Sequence, residues 1–161
     1  MTESRYEKYV ARKPMRPQGI PETSWTMVKG SMTAPPFIFL DGDTPIKGTN
    51  TMLETMWVWK DTAVGISPER PPHKHECDEI FLFMGTNGVD SNDLGAEIEM
   101  WLGEGEEAEK IAINTSSVVF VPSGLVHLPI IFNNVSKPIL LVVIGINASD
   151  MKIIKCALRE L

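Results

Sequence analysis

Cysteine is scarce in this chain of 161 residues: there are two, Cys77 and Cys156, far apart and without the paired spacing of a zinc ribbon or a redox dithiol. A disulfide framework is therefore not expected to hold the fold. Long hydrophobic runs are missing too. The longest, Ile139 to Ile144, is far too short to cross a bilayer. The opening stretch MTESRYEKYVARK is charged where a signal peptide needs an unbroken apolar segment, so a cytoplasmic protein is expected. Basic charge is in deficit. Lys and Arg number 15 against 21 Asp and Glu, a formal net charge of -6, which gives no electrostatic reason to expect nucleic acid or an anionic membrane as partner. A small-molecule ligand or substrate is the expectation that remains.

What is present fits one soluble globular domain: hydrophobic residues make up 43% and charged residues 22%, and the length suffices to bury a core without staples. Residues 1–36 hold five of the twelve prolines (Pro14, Pro17, Pro21, Pro35, Pro36) and little periodicity, which predicts an extended arm packing on the rest of the chain or on a dimer partner. From residue 37 to 161 short β-type runs take over, forming a single domain: FIFL at 37–40, MLETMWVW at 52–59, EIFLFM at 79–84, AEIEMWL at 96–102, KIAIN at 110–114, SVVFV at 117–121, HLPIIF at 127–132 and PILLVVIGI at 138–146. Turn-forming clusters such as DGD at 41–43, GTNGVDSNDLG at 85–95 and PSG at 122–124 separate them. Many short strands with no amphipathic helix between them predict an all-β antiparallel barrel or sandwich. The tail from Asp150 reads as a last strand or a short helix.

All three histidines fall in two short segments, His73 and His75 in PPHKHECDE and His127 in VPSGLVHLP. On a strand, residues i and i+2 share a face, so His73 and His75 can aim both imidazoles at one point. Glu79 follows a three-residue connector and opens the strand EIFLFM, where an unpartnered carboxylate among apolar neighbours is costly. His127 arrives from a later strand after Pro-x-Gly. Three imidazoles and one carboxylate suit a divalent transition metal (iron, manganese, nickel, zinc, cobalt or copper) better than calcium or magnesium, which prefer all-oxygen shells.

These residues resemble the two motifs of the cupins. Gly65, His73-x-His75, Glu79 and Gly85 are similar to the first, and Pro122-x-Gly124-x-x-His127 to the second, with Ile131 where the second motif often has asparagine. The resemblance implies a small double-stranded β-helix, or jelly-roll, barrel. It also implies one metal ion held by His73, His75, Glu79 and His127, and a homodimer.

Other side chains are candidates for a pocket. Trp57 and Trp59 share a strand face that Phe81, Phe83 and Trp101 can join, and Arg70, just ahead of the histidines, can clamp an anion. On the strand that follows His127, simple alternation turns Pro129 and Ile131 inward. Asp78 is a candidate hydrogen-bond partner for a ligating imidazole. No second acid or base stands out. A metal with four protein ligands keeps one or two open positions, so the expectation is an enzyme with oxygenase-like, lyase or isomerase chemistry on a small metabolite. The alternative is a non-catalytic cupin that binds or senses a small molecule.

Overall fold

The computed structural model describes residues 5–11, 28–42, 45–148 and 154–156. Among these residues eleven strands follow one another: β1 (Ile38–Leu40), β2 (Thr51–Val58), β3 (Thr62–Val64), β4 (His73–Lys74), β5 (Asp78–Gly85), β6 (Glu97–Leu102), β7 (Glu109–Ile113), β8 (Ser117–Val121), β9 (His127–Asn133), β10 (Ile139–Ile146) and β11 (Ile154–Lys155). They form two antiparallel sheets, β1-β2-β10-β5-β8 and β11-β4-β9-β6-β7, with β3 added to β9. This is the all-β antiparallel architecture that the strand rhythm predicts, in the jelly-roll form that the cupin resemblance implies. No helix among the described residues is long and apolar enough to cross a membrane.

Each of the eight β-type runs becomes a strand, and β3, β4 and β11 are additional. The last two have two residues each, too short to show a period. Of the arm, residues 1–4 and 12–27 lie outside the described residues, as do 149–153 and 157–161 of the tail. Residues 28–36 run beside β2. Met32 bridges Val58, the Thr33 amide donates to Trp57 O at 2.7 Å, and Val28 and Met32 are buried.

The core lies between the sheets. Phe83 and Phe132, from opposite sheets, meet with ring centroids 6.3 Å apart, among Ile98, Met100, Ile130 and Ile139. Each side chain buried this fully contributes about 1.5–3 kcal/mol. The inner wall of the first sheet is ordered in rows by the pairing of β2, β10 and β5. Met56, Leu141 and Phe83 form one row, Glu54, Val143 and Phe81 the next, and Met52, Gly145 and Glu79 the third. The wall thus passes from apolar to charged along a single strand, Phe83 to Phe81 to Glu79.

On the facing sheet the alternation expected after His127 does not hold. His127 pairs with Leu102 and Ile130 with Met100, so two residues on β9, Leu128 and Pro129, stand opposite the single Trp101 on β6. The extra residue reverses the parity, and Ile130 and Phe132 turn inward in place of Pro129 and Ile131. Leu128 sits in the bulge at φ 77, a backbone region that side chains with a Cβ rarely adopt. Its side chain takes the space beside Gly65, where a Cβ would stand 2.5 Å from Leu128 Cβ. Gly65, itself at φ 86, is therefore required both by conformation and by close approach.

Candidate metal centre

His73 and His127 are direct partners across β4 and β9, and His75 lies two residues along from His73. The three rings meet with centroids 4.8 Å (His73–His75), 4.6 Å (His73–His127) and 5.3 Å (His75–His127) apart. One nitrogen from each lies within 4.8 Å of the others, an arrangement that can hold a metal ion. All three are buried, His127 at 1% exposure.

The connection between the two histidine segments is made by backbone. Gly124 N donates to His75 O at 2.9 Å, and Ser123 N donates to the Asp78 carboxylate at 2.8 Å. The turn that precedes His127 is thereby fastened to the segment that carries His75 and Glu79. Of the two roles open to Asp78 from its sequence position, partner of an imidazole or turn carboxylate, the structure shows the second.

Ring orientation is likewise fixed by the main chain. His73 Nδ1 lies 2.8 Å from Pro71 O and His127 Nδ1 lies 3.3 Å from Leu125 O. A carbonyl only accepts, so the proton is assigned to Nδ1 in both rings, and each Nε2 is left with its lone pair available as a ligand. Burial, with the neighbouring His127 adding to it, pushes the His73 pKa down to about 3, against the opposing hydrogen bond to Pro71. His73 is neutral across the physiological range, the state a ligand needs.

Glu79 joins this group. Its Oε2 lies 3.0 Å from His127 Nε2 and 3.5 Å from His75 Nε2. The same oxygen is fully enclosed and has no hydrogen bond of acceptable alignment. A buried carboxylate oxygen aimed at imidazole nitrogens without an aligned donor is costly, and a cation between them removes that cost. The donor set therefore fits a divalent transition ion.

The cluster forms part of the wall of a cavity of about 590 Å³, counted with its open mouth, and much of the remaining lining is apolar: Met52, Met56, Val64, Phe81, Leu128, Ile130, Leu141 and Val143. Of the side chains singled out in the sequence, Phe81 and Arg70 line it. Phe81 stacks obliquely on His127, centroids 5.6 Å apart. Phe83 lies one row deeper, against Phe132. Trp57, Trp59 and Trp101 lie away from the cavity wall. Trp57 follows the outward-facing Leu53 and Thr55 on β2, and Trp59 is 40% exposed with its Nε1 donating to Gly30 O at 3.0 Å.

One wall residue was not anticipated. Glu54, in the row of Val143 and Phe81, brings a second carboxylate into the cavity. Burial raises its pKa above the usual carboxylate range, Arg70 opposes that rise, and the charge of Glu79 adds to it. Burial lowers the Arg70 pKa, and Glu54 and Glu79 resist. Glu54 and Arg70 both keep some accessible surface, consistent with their position on the cavity wall. The available signal was alternation: Met52, Glu54 and Met56 share a strand face, and a lone acid in an apolar row is seldom idle.

No family model matches the chain, and no curated protein matches it. Solved structures do. An oxalate oxidase structure, reported for its mechanism, superposes with a TM-score of 0.54 at 15% identity, covering 92% of this chain and 63% of that one. A recombinant oxalate oxidase in complex with glycolate gives 0.53 at 17% identity, with the same coverage. The vicilin of Solanum melongena, described as holding different anionic ligands in structurally similar pockets, gives 0.52 at 8% identity, over 74% of this chain and 29% of that one. The chain thus spans less than two thirds of the length of these proteins. At such identities the likeness is one of fold.

Proposed function

From a chain with the cupin fold, we propose a metal-dependent enzyme that acts on a small metabolite at a mononuclear centre of His73, His75, His127 and Glu79. The observation that carries this reading is the convergence of three buried imidazoles and an otherwise unsatisfied carboxylate oxygen at the wall of an open, largely apolar cavity. When bound, a divalent transition ion supplies Lewis acidity and an anchor for an oxygen ligand, and a redox-active one also supports oxygenase-like chemistry. The protein's own contribution is to hold the four ligands through backbone contacts, to exclude water with Phe81, Leu128 and Ile130, and to bring the charged pair Glu54 and Arg70 to the same space. Glu54, whose carboxylate form is disfavoured by burial and favoured by Arg70, is the group suited to exchange a proton in a lyase or isomerase step. That the fold neighbours include an oxidase crystallised with glycolate is compatible with this reading.

The test is elemental analysis of protein purified without chelators or an affinity tag, followed by turnover assays with the metal found. About one transition ion per chain is expected, lost in His127→Ala. Wild-type metal content in both His75→Ala and His127→Ala would place the centre elsewhere. A metal-loaded protein that binds one metabolite tightly and leaves it unchanged would replace the enzyme with a binding protein.

We further propose residues 37–161 as one barrel, residues 1–36 as its arm, and a homodimer. The outer face of the first sheet presents Ile80, Leu82 and Met84 of β5, Leu140 and Ile144 of β10, and Val118 and Phe120 of β8, the last two 63% and 55% exposed. No charge interrupts these positions. A second copy, paired by a two-fold axis, offers the same uncharged face. Light scattering should give twice the chain mass, and Phe120→Glu should halve it. A wild-type monomer would refute the dimer.

A further inference from the structure

We propose that Arg70, with Glu54 as its counter-ion, makes the charged part of the cavity wall a carboxylate subsite, so that the ligand is a small organic acid. This rests on the metal-centre reading above and names its substrate class.

A divalent ion held by three imidazoles, which coordinate only in the neutral form, and by the Glu79 carboxylate would leave a net charge of +1 at the centre. Arg70 and Glu54 line the same cavity and attract each other, adding zero when both are ionised. The rest of the lining is apolar and cannot screen the excess. A buried excess of positive charge is best met by an anion, and a neutral ligand of the same shape leaves it uncompensated.

Geometry points to the same ligand class. A guanidinium presents a planar fork that matches a carboxylate with two parallel hydrogen bonds, and it stays cationic when buried. Arg70 immediately precedes the Pro71-Pro72 pair that leads into His73, and Pro71 O holds the His73 ring. The anion anchor and the first ligand are therefore carried on one short, stiff segment. Glu54 comes from the other sheet, in the row beside that of Glu79. Its position predicts a competition: Glu54 is the carboxylate that attracts Arg70, and an incoming acid must share that guanidinium or displace it. Removing the Glu54 charge should therefore tighten anion binding, whereas loss of a merely structural contact would weaken it.

The experiment is calorimetric titration at low salt with acetate, lactate and malonate, each against its uncharged amide. It uses wild-type protein and Arg70→Gln, Arg70→Lys and Glu54→Gln, with metal content measured on every sample. At least one acid should bind the wild type at least tenfold more tightly than its amide. Arg70→Gln should abolish that preference with metal content unchanged, Arg70→Lys should keep part of it, and Glu54→Gln should raise acid affinity severalfold. Equal binding of acid and amide, no binding of any acid at millimolar concentration, or an Arg70→Gln variant with wild-type preference would each overturn the subsite. Should Arg70→Gln fail to fold, Arg70→Lys and Glu54→Gln carry the test, and weaker acid binding in Glu54→Gln would overturn the competition. Protein that neither retains nor takes up cobalt(II) would overturn the metal-centre reading, whereas cobalt-loaded protein without an acid preference would overturn the subsite alone.

Discussion

The amide of Ser123 is held by the carboxylate of Asp78 at 2.8 Å, across 45 positions of sequence. The residues on either side of this contact, Glu79 and the turn before His127, bring proposed ligands from different strands. Contacts that orient ligands without touching the metal are commonly worth ten- to a hundredfold in metal affinity. Asp78→Ala should therefore weaken cobalt(II) binding by about tenfold, measured by competition with a chromogenic chelator, and Asp78→Asn should recover part of the loss. Unchanged affinity in Asp78→Ala would mean that backbone contacts such as Gly124 N to His75 O suffice.

Substituting the imidazoles separates folding from binding. His75→Ala and His127→Ala should each lose most bound metal while retaining the β-sheet signature in far-ultraviolet circular dichroism. The barrel core is built around Phe83 and Phe132, one row or more away from the ligands. Collapse of the fold in both variants would show that the centre is part of the core.

Acid should destabilise the metal-free protein in a defined window. His73 in the folded chain titrates near 3, whereas an unfolded histidine titrates near its ordinary value of 6.5. Between these values the unfolded chain binds the extra proton, so stability falls as the pH is lowered from about 6.5 toward 3. Urea unfolding at pH 7, 6 and 5 should show this slope, and His73→Gln should show less of it. An identical slope in the variant would assign the effect to other groups.

Gly85, the last residue of β5, and Gly88, in the connection that follows it, make a matched pair. A Cβ at Gly85 would stand 2.1 Å from Asp93 O, a backbone atom that cannot swing away, whereas a Cβ at Gly88 meets nothing within 4 Å. Gly85→Ala should destabilise the protein by about 1–3 kcal/mol, in the range of overpacked positions. Gly88→Ala should stay within about 0.5 kcal/mol of wild type, as surface changes do. Thermal unfolding of the two variants decides the matter.

Much of this architecture is legible in the amino-acid sequence. The eight runs are readable because apolar periodicity and turn residues act locally, over about five to ten positions. The clustering of His73, His75, Glu79 and His127 is legible from spacing and residue chemistry. What escapes is produced by tertiary contacts. The two-residue strand β4 pairs with β9 through His73 and His127, and the tail, left open between strand and helix, becomes β11 by pairing with β4. The reversed faces of β9 follow from a bulge that its apolar residues do not announce. Trp57 and Trp59 look like a pocket because aromatic pairs on one face often are, but that face of β2 points outward. Glu54 is visible as a lone acid in an apolar run, and only the pairing with β10 and β5 sets it in the row beside Glu79.

The main-chain hold on His73 and His127 has a consequence for protein engineering. Pro71 O and Leu125 O are present whatever side chains those positions carry, so the ring orientation they impose does not depend on an orienting aspartate or glutamine that a mutation can delete. A library that varies Met52, Met56, Phe81, Leu141 and Val143 can reshape the cavity for other substrates while these two imidazoles keep their bearings.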